Sequence, residues 1–391
     1  MRFFLPALLL LAVASLAPAL AAPATTAPPP ARVGRISFAD GKASTRPAHD
    51  ASWSDAAIDT PLAAGAALRT AADARAEIEI GLDTTDLTAN TEVEIVRLDE
   101  GIVEIALSQG RIEIALRRLD PGATVEIDFR QGGVWLLQPG RYDIDAGDGR
   151  TPRVMVFEGA ARFAGSGADT PIKSGEALDP SSAQKAKAVA DEFADWCRAR
   201  DRDEADLAAP YYVSPEMTGS AELDVAGSWE RNVEYGNVWF PKDLPAGWAP
   251  YRDGKWRWVQ PWGWTWFDDR VWGFAPSHYG RWAFIEGRWG WVPGRFVAHP
   301  VYMPAVVGFL GTAGVGLSYA DGSGPAIGWF PLAPGETYWP GGTADLDYIQ
   351  ALNRGDVADP GVIRLPKDGK PPAEIVGRPF ANRLYASVVP R

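Results

Sequence analysis

The amino-acid sequence predicts a mainly β protein. We expect an N-terminal β-sandwich or short β-solenoid, one linker helix and a C-terminal, tryptophan-rich module of antiparallel β-hairpin repeats. Apolar and polar residues alternate between residues 32 and 165, the period of strands with one buried face. Apolar residues recur at helical spacing between residues 182 and 208. The chain holds 17 Trp, and 11 of them fall within residues 239–291, where the sequence repeats itself.

The N-terminus has the pattern of a secretory signal peptide over residues 1–22. Met1-Arg2 precedes an apolar run that ends in Pro18 and Ala19-Leu20-Ala21, a small-residue cleavage site. A retained membrane anchor is the alternative, because the run approaches the length of a bilayer span. Residues 23–31 are rich in Ala, Thr and Pro and predict a flexible leader. We therefore expect a secreted or periplasmic protein with no transmembrane segment after cleavage.

Composition excludes several classes of function. The net charge of −12 argues against nucleic acid as a partner. Cys197 is the only cysteine, so no intramolecular disulfide can form, and no histidine lies near it in sequence to activate the thiol. Stability must therefore come from packing.

The strand domain, residues 32–165, carries charged residues at alternate positions. Ala76-Glu77-Ile78-Glu79-Ile80 and Val125-Glu126-Ile127-Asp128-Phe129 are two such runs, and Gly-containing turn signals separate the runs. Exposed strand faces are normally polar, so the alternating Glu and Asp predict a solvated face and not a carboxylate site.

Several motifs in this domain follow one another in an order that resembles the FecR-like periplasmic domain: Gly34-Arg35-Ile36-Ser37, Trp53, Pro61-Leu62-Ala63-Ala64-Gly65-Ala66, Leu68-Arg69-Thr70, Ala74-Arg75-Ala76-Glu77, Leu87, Asn90-Thr91-Glu92 and Leu107-Ser108-Gln109-Gly110. The chain departs from the family pattern at Gly65-Ala66 and around residues 84–88. FecR-like regulators place a cytoplasmic anti-sigma region and a membrane helix before this domain, and we expect only the exported part here. The resemblance implies a protein-interaction or sensing module.

Residues 166–207 are predicted to form a linker and a helix. The segment from Gly165 to Ser182 is rich in Gly, Ser and Pro, which indicates a connector. Ser182 is placed to cap a helix that would run to Ala208 and dock on one of the domains. Residues 341–391 predict a loop-rich C-terminal extension, within which residues 384–389 could form a short strand.

The tryptophan-rich domain, residues 208–340, contains a duplicated unit. Gly254-Lys255-Trp256 recurs as Gly280-Arg281-Trp282, and Trp262-Gly263-Trp264 recurs as Trp289-Gly290-Trp291. The offsets are 26 and 27 residues, which indicates one inserted residue and repeated supersecondary units. Residues two apart on a strand share a face, so each unit predicts a hairpin with one aromatic face.

Two interpretations of the aromatic face stay open. The indoles form a core, or some of them stand exposed and stack on sugar rings or peptide. Basic residues beside the rings would suit an anionic glycan, or they stack on the indoles themselves. The candidate ligand-binding residues are Trp256, Trp258, Trp264, Trp266, Trp282, Trp289, Trp291, Lys255, Arg257, Arg281 and Arg288.

Further motifs in this region resemble a tryptophan-rich bacterial envelope domain of unknown function that often follows FecR-like domains. They include Tyr211-Tyr212-Val213-Ser214-Pro215, Gly227-Ser228-Trp229, Val238-Trp239-Phe240-Pro241, Val301-Tyr302-Met303-Pro304-Ala305 and Gly328-Trp329-Phe330-Pro331. This resemblance implies compartment and architecture but no mechanism.

No catalytic, metal or cofactor motif is recognisable. The three histidines, His49, His278 and His299, lack metal-ligand spacing. Asp268-Asp269 is better explained as a turn than as a pair of catalytic acids, and Glu286 with Asp268 or Asp269 is the one combination considered for glycan hydrolysis. We predict a non-catalytic protein that senses or scaffolds through another envelope protein. Binding of peptidoglycan or polysaccharide through exposed Trp is the alternative, and a glycan hydrolase comes last.

Overall fold

The computed structural model describes residues 28–48, 50–147, 149–165, 168–204, 209–310, 328–340, 345–363 and 380–388. The predicted signal peptide lies outside the described residues. No helix in the described part of the chain is long and apolar enough to cross a membrane.

The N-terminal half folds into two nine-stranded sheets. We name them the covered sheet and the open sheet, after what lies on their outer faces. The covered sheet comprises β1 (Gly34–Asp40), β4 (Pro61–Leu62), β6 (Arg75–Ile80), β7 (Asp83–Leu87), β10 (Arg111–Leu116), β13 (Gly140–Asp145), β14 (Arg153–Glu158), β17 (Glu176–Asp179) and β18 (Gln184–Lys187). The open sheet comprises β2 (Ala43–Arg46), β3 (Ser54–Asp55), β5 (Ala67–Thr70), β8 (Glu92–Leu98), β9 (Ile102–Gln109), β11 (Thr124–Phe129), β12 (Gly132–Leu136), β15 (Ala160–Gly165) and β16 (Ala168–Lys173).

The two sheets form a sandwich around one continuous apolar core. Strands of the covered sheet supply Ile78, Ile112 and Ile144, and strands of the open sheet supply Ile105 and Ile127. The chain crosses between the sheets after one or two strands, so it advances along both sheets together. Neighbouring strands are antiparallel except for β9 and β11, which pair in parallel. This fold matches the sandwich form of the prediction.

Residues 168–187 differ from the predicted linker. β16 extends the open sheet, and β17 and β18 extend the covered sheet. Helix α1 (Glu192–Glu204) therefore begins at Glu192 and not at the predicted cap, Ser182. The spacing of apolar residues over so short a stretch fits both structures, and pairing with β17 stabilises the strand.

The prediction of a solvated carboxylate face is wrong for the covered sheet. Glu77, Asp86, Glu113 and Asp143 lie side by side on four adjacent strands, and each is at most 3% exposed. We call these four residues the carboxylate row. Helix α1 packs over the row, and Arg200 of α1 bonds Glu77 at 2.8 Å. The charged alternation marks an outer face, but it does not reveal that a helix covers that face.

The C-terminal half consists of small sheets and short helices. Its elements are α2 (Glu222–Ala226), β19 (Gly227–Asn232), β20 (Gly236–Pro241), β21 (Gly254–Val259), β22 (Gly263–Asp268), α3 (Phe274–His278), β23 (Arg281–Ile285), β24 (Arg288–Val292), β25 (Val307–Leu310), β26 (Gly328–Pro331), α4 (Leu346–Leu352) and β27 (Ser387–Val388). Short 3₁₀ turns occupy Ala209–Tyr211, Pro360–Val362 and Arg383–Tyr385. β27 pairs with β26, which confirms the strand predicted in the C-terminal extension.

The predicted hairpin repeat is confirmed, and the structure extends it to three hairpins. We call β21–β22 the first hairpin and β23–β24 the second hairpin, after the two units of the duplication, and β19–β20 the third hairpin. Each hairpin carries a Trp pair directly across its two strands at the equivalent position: Trp229 and Trp239, Trp256 and Trp266, Trp282 and Trp291. Two residues before the first Trp of each pair stands a glycine, Gly227, Gly254 or Gly280. A Cβ at any of these glycines would come within 2.2–2.8 Å of the indole on the opposite strand. The Gly-x-Trp spacing thus lets the second indole lie flat against the backbone.

The structural equivalence inside the duplication differs from the predicted alignment. Trp258 pairs with Trp264 in the first unit, and Phe284 pairs with Trp289 in the second. Trp289-Gly290-Trp291 therefore corresponds to Trp264-Thr265-Trp266 and not to Trp262-Gly263-Trp264. The second hairpin has the shorter turn, so the sequence motif Trp-Gly-Trp matched two different strand positions.

The two halves of the molecule share a packed junction. Val33 and Ala63 of the strand domain belong to the aromatic core of the tryptophan-rich domain. The carbonyl oxygens of Pro30 and Ala31 accept hydrogen bonds from Trp262 Nε1 and from the backbone N–H of Tyr302. The end of the predicted flexible leader is therefore fixed against the second domain.

Candidate functional site

The predicted tryptophan surface is mostly core. Trp266, Trp282, Trp289 and Trp291 are each at most 4% exposed. Trp256 is partly buried and packs edge-to-face on Trp329 at 5.5 Å between ring centroids. Facing indoles of this kind stabilise a sheet beyond the apolar area that they bury. The core interpretation therefore holds for most of these rings.

The four predicted basic residues do not converge on one site. Arg281 is fully buried, with an ion pair to Asp356 at 3.2 Å and a hydrogen bond to the side chain of Asn353 at 3.0 Å. Arg288 pairs with Glu230 at 2.6 Å and lies over the ring of Phe240. Structural partners thus occupy both side chains.

The other two basic residues lie on the first hairpin. Arg257 stacks over Phe267, with 4.9 Å between the guanidinium carbon and the ring centroid. Lys255 is exposed on the same strand. Both alternate with the Trp positions of β21, so they point away from the aromatic face.

One part of the predicted surface remains accessible at the turn end of the first hairpin. Trp258 is 50% exposed and lies edge-to-face against Trp264, with 5.8 Å between ring centroids. Phe284 occupies the equivalent position of the second hairpin and is 45% exposed. We call Trp258 and Trp264 the indole pair. It presents a single exposed ring and not the extended platform that the Trp content allowed.

The carboxylates considered for hydrolysis do not form an evident pair. Asp268 lies at the open end of the first hairpin, opposite Gly254, and accepts hydrogen bonds from Trp266 Nε1 and the N–H of Arg270. Glu286 lies in the turn of the second hairpin with a φ of 48°. Asp268 is thus the last residue of β22, where the sequence predicted a turn, and Glu286 occupies a turn.

The described histidines have structural partners. His278 is buried, its Nδ1 lies 2.7 Å from the carbonyl oxygen of Met303, and burial lowers its pKa to about 3. His299 pairs with Glu216 at 2.8 Å, and this contact raises its pKa. In the described part of the chain, no group of three or more His, Cys, Asp and Glu residues is arranged to hold a metal ion.

The open sheet presents a second candidate surface. Strand pairing aligns one row of outward side chains across five strands: Arg97, Glu104, Glu126, Trp135 and Arg162. The adjacent row runs through the small residues Ala106, Gly133 and Ala164, with Asp128 between the first two. We call these two rows the open face. We call the row of small residues the shelf; the ring of Trp135 lies against Gly133, and charged residues border the row.

Like charges meet on this face. Glu104 and Glu126 are directly paired neighbours, and Asp128 lies two residues further along β11. Partial burial and the charges of Asp128 and Glu104 raise the pKa of Glu126. The nearby arginines have other contacts, because Arg97 pairs with Asp99 and Arg162 pairs with Asp169 while lying over Trp135. Like charges on neighbouring strands lower stability, so folding alone does not explain this arrangement.

Sequence reasoning placed charged residues on strand faces but did not single out the open face. The alternation is the same in both sheets, and only the packing of α1 and the second domain shows which outer face remains accessible. The signal that could have pointed to it is Trp135, an aromatic residue at an outward position between Glu126 of β11 and Arg162 of β15.

One family model matches part of the chain. Residues 220–336 match the model of a family of unknown function (DUF6600). This segment contains all three Trp hairpins. No curated protein matches the chain.

Similarity to solved structures is weak. Two crystal structures of a candidate anti-sigma factor from Parabacteroides distasonis ATCC 8503, at 2.50 and 1.65 Å resolution, match with 14% and 13% identity and TM-scores of 0.28 and 0.30. The matches cover 32% and 34% of this chain and 60% and 64% of those chains. This chain thus spans less than two thirds of the length of either structure.

Proposed function

We propose that this protein is a non-catalytic binding protein of the cell envelope that senses or scaffolds by holding another envelope protein on the open face of its strand domain. The observation that carries the proposal is the paired row of Glu104 and Glu126 beside the small-residue shelf. Arrangements that lower stability are expected at functional sites, and here the clustered negative charge would serve to bind a partner.

The chemistry of the open face indicates the kind of partner. Three neighbouring carboxylates favour a basic segment, because opposite charges attract and register two surfaces. Trp135 and the shelf offer apolar contact area beside the acids. The signal-peptide pattern of residues 1–22 and the FecR-like motifs support an exported, protein-binding role.

Replacing Glu126 with glutamine tests this function. We expect Glu126→Gln to capture less of a basic envelope protein than the wild type does, and to gain about 0.2–1 kcal/mol in free energy of unfolding. Quantitative mass spectrometry of proteins pulled down from native envelope measures the first effect, and urea denaturation measures the second.

The pH dependence of the stability gain follows from the raised pKa of Glu126. Protonated glutamate resembles glutamine, so wild type and variant have similar stabilities below the ordinary carboxyl pKa of about 4.3. As the pH rises through the raised pKa, the wild type loses the stability that the protonated Glu126 contributes, and the variant becomes the more stable protein. Glu158→Gln, an exposed change at the end of β14, is the control and changes neither property. Unchanged capture by a Glu104→Gln/Glu126→Gln double variant would rule out the open face.

Glycan binding through the indole pair is a second candidate function. The half-exposed ring of Trp258 is the observation that favours it, because sugar rings stack on accessible indoles. We expect peptidoglycan fragments or acidic polysaccharides to shift the Trp fluorescence of the wild type and not of Trp258→Ala. Phe284→Ala removes the equivalent ring of the second hairpin and is the matched control. A wild-type spectrum that stays constant throughout the titration excludes this function.

A further inference from the structure

Helix α1 covers the carboxylate row without joining the core of the sandwich. Phe193, Ala194 and Cys197 of α1 are each at most 6% exposed. The continuous core of the described sandwich is nevertheless built from the two sheets and contains none of these three residues. The sheets therefore keep their shared apolar core whether or not α1 lies on them.

Ion pairs hold α1 on the sheet together with its buried apolar residues. Arg200 bonds Glu77 at 2.8 Å, Asp201 lies 3.2 Å from Arg141 Nε, and Asp191, just before the helix, bonds Arg111 at 2.6 Å. Guanidinium groups also lie over aromatic rings, Arg111 over Phe193 and Arg200 over the ring of Phe38. Salt weakens the more exposed of these pairs, such as Arg111 with Asp191, screens the buried pairs less, and does not screen apolar packing.

The polar groups beneath α1 regain contact with water when the helix leaves the sheet. Each carboxylate of the row loses water on burial, and ion pairing often fails to offset that loss. Glu113 Oε2 and Arg141 Nη1 are buried there without a hydrogen-bond partner among the described protein residues. Opening α1 returns these groups to water, so the free energy of opening is small compared with that of unfolding the sheets.

We propose that α1 is a displaceable strap, which leaves the covered sheet while the sandwich stays folded and so exposes the carboxylate row. Because charged contacts contribute to holding the strap, whereas a shared apolar core holds the two sheets together, salt should affect the strap more than the sheets. The same fold then has two forms. In the closed form α1 covers the carboxylate row, and in the open form the four adjacent carboxylates are exposed.

The chain provides its own reporter of opening. Cys197 is the only cysteine, it is 1% exposed, and it faces the carboxylate row from α1. Burial and the charge of Asp86 raise the pKa of its thiol, so the closed form does not react. We expect N-ethylmaleimide to modify Cys197 in the full-length folded protein at constant pH, with a rate that rises at least about 3-fold between 0.05 and 0.5 M NaCl.

Arg200→Gln tests directly whether ion pairs keep α1 on the covered sheet. Loss of the bond to Glu77 should raise the labelling rate about 10-fold or more, because a charge-assisted hydrogen bond is lost. Arg198→Gln changes the neighbouring arginine, whose 3.7 Å ion pair with Asp195 lies on the exposed side of α1, and leaves the rate unchanged.

Hydrogen exchange of the backbone amides of β10 and β13 separates opening from unfolding. We expect these amides to remain protected in both variants while Cys197 reacts. Labelling that is insensitive to salt, or that proceeds only at the rate at which β10 and β13 exchange, overturns the proposal. The same holds if Arg200→Gln speeds exchange in β10 and β13 as much as it speeds labelling.

Discussion

Replacing Arg35 with methionine is expected to lower the free energy of unfolding by about 3–5 kcal/mol, because it leaves buried carboxylates without their cation. Arg35 is 1% exposed at the domain junction. Its Nε bonds Glu79 and its Nη1 bonds Asp59, each at 2.7 Å, and Nη2 bonds Glu222 of the second domain. One guanidinium thus neutralises acids from both domains.

Other hydrogen bonds tie the same junction. The N–H of Gly219 donates to Glu79 at 2.7 Å, and Thr218 Oγ1 donates to the carbonyl of Val33 at 2.9 Å. Loss of Arg35 therefore destabilises the contact between the domains as well as each domain. Urea denaturation followed by circular dichroism and by Trp fluorescence measures the loss. Arg97→Met, at an exposed pair with Asp99, is the control and should cost less than about 1 kcal/mol.

The effect of Arg35→Met should depend on pH. Burial raises the pKa of Glu79 to about 8 even beside Arg35. A raised carboxyl pKa contributes stability that is complete below the ordinary value of about 4.3 and is lost as the pH rises through about 8. The variant has no cation to oppose this loss, so its deficit should shrink in acid and grow above neutrality. A deficit under 1 kcal/mol at pH 7 would contradict the role given to Arg35.

Replacing Trp291 with alanine is expected to cost about 3–5 kcal/mol, the usual loss for a fully buried large aromatic residue. Trp291 is 0% exposed, lies across from Trp282 and Trp239, and donates its indole N–H to the carbonyl of Tyr279 at 2.9 Å. Its ring fills the space beside Gly280. Urea denaturation monitored by circular dichroism measures the loss without relying on the fluorescence of the deleted indole.

Trp258→Ala provides the comparison for this prediction. Trp258 is 50% exposed, so its removal should cost about 1 kcal/mol or less. Similar costs at Trp258 and Trp291 would mean that the aromatic face is not divided into core and surface as the structure shows. The contrast also separates stability from binding, because only the Trp258 position remains accessible to a ligand.

Much of the fold was predictable because local periodicity survives in the final structure. The alternation in Val125-Glu126-Ile127-Asp128-Phe129 gives β11 with Ile127 buried and Glu126 outward. The Trp-x-Trp spacing gave hairpins with one aromatic face. The sequence predicts a helix for residues 184–187, because four residues are too few to distinguish the helical period from the strand period. Pairing with β17 makes them a strand.

The candidate sites were less predictable than the strands. Arg281 and Arg288 alternate with aromatic residues as a ligand site would require, yet their partners Asp356 and Glu230 lie far away in sequence. The third Trp hairpin was missed because Trp229 and Trp239 lack the neighbouring tryptophans that made the other two units conspicuous.

The sequence by itself determined that this protein is built of strands with one apolar side and of hairpins with stacked indoles, since both follow from side-chain alternation along an extended backbone. Only the tertiary structure decided which polar faces meet water. Glu77 and Glu126 stand in the same pattern, but α1 buries the first and leaves the second accessible. Arg35 and Glu222 are separated by 187 positions, and no local rule couples residues so far apart. Burial of a charge depends on what packs against it, and that is a property of the whole fold.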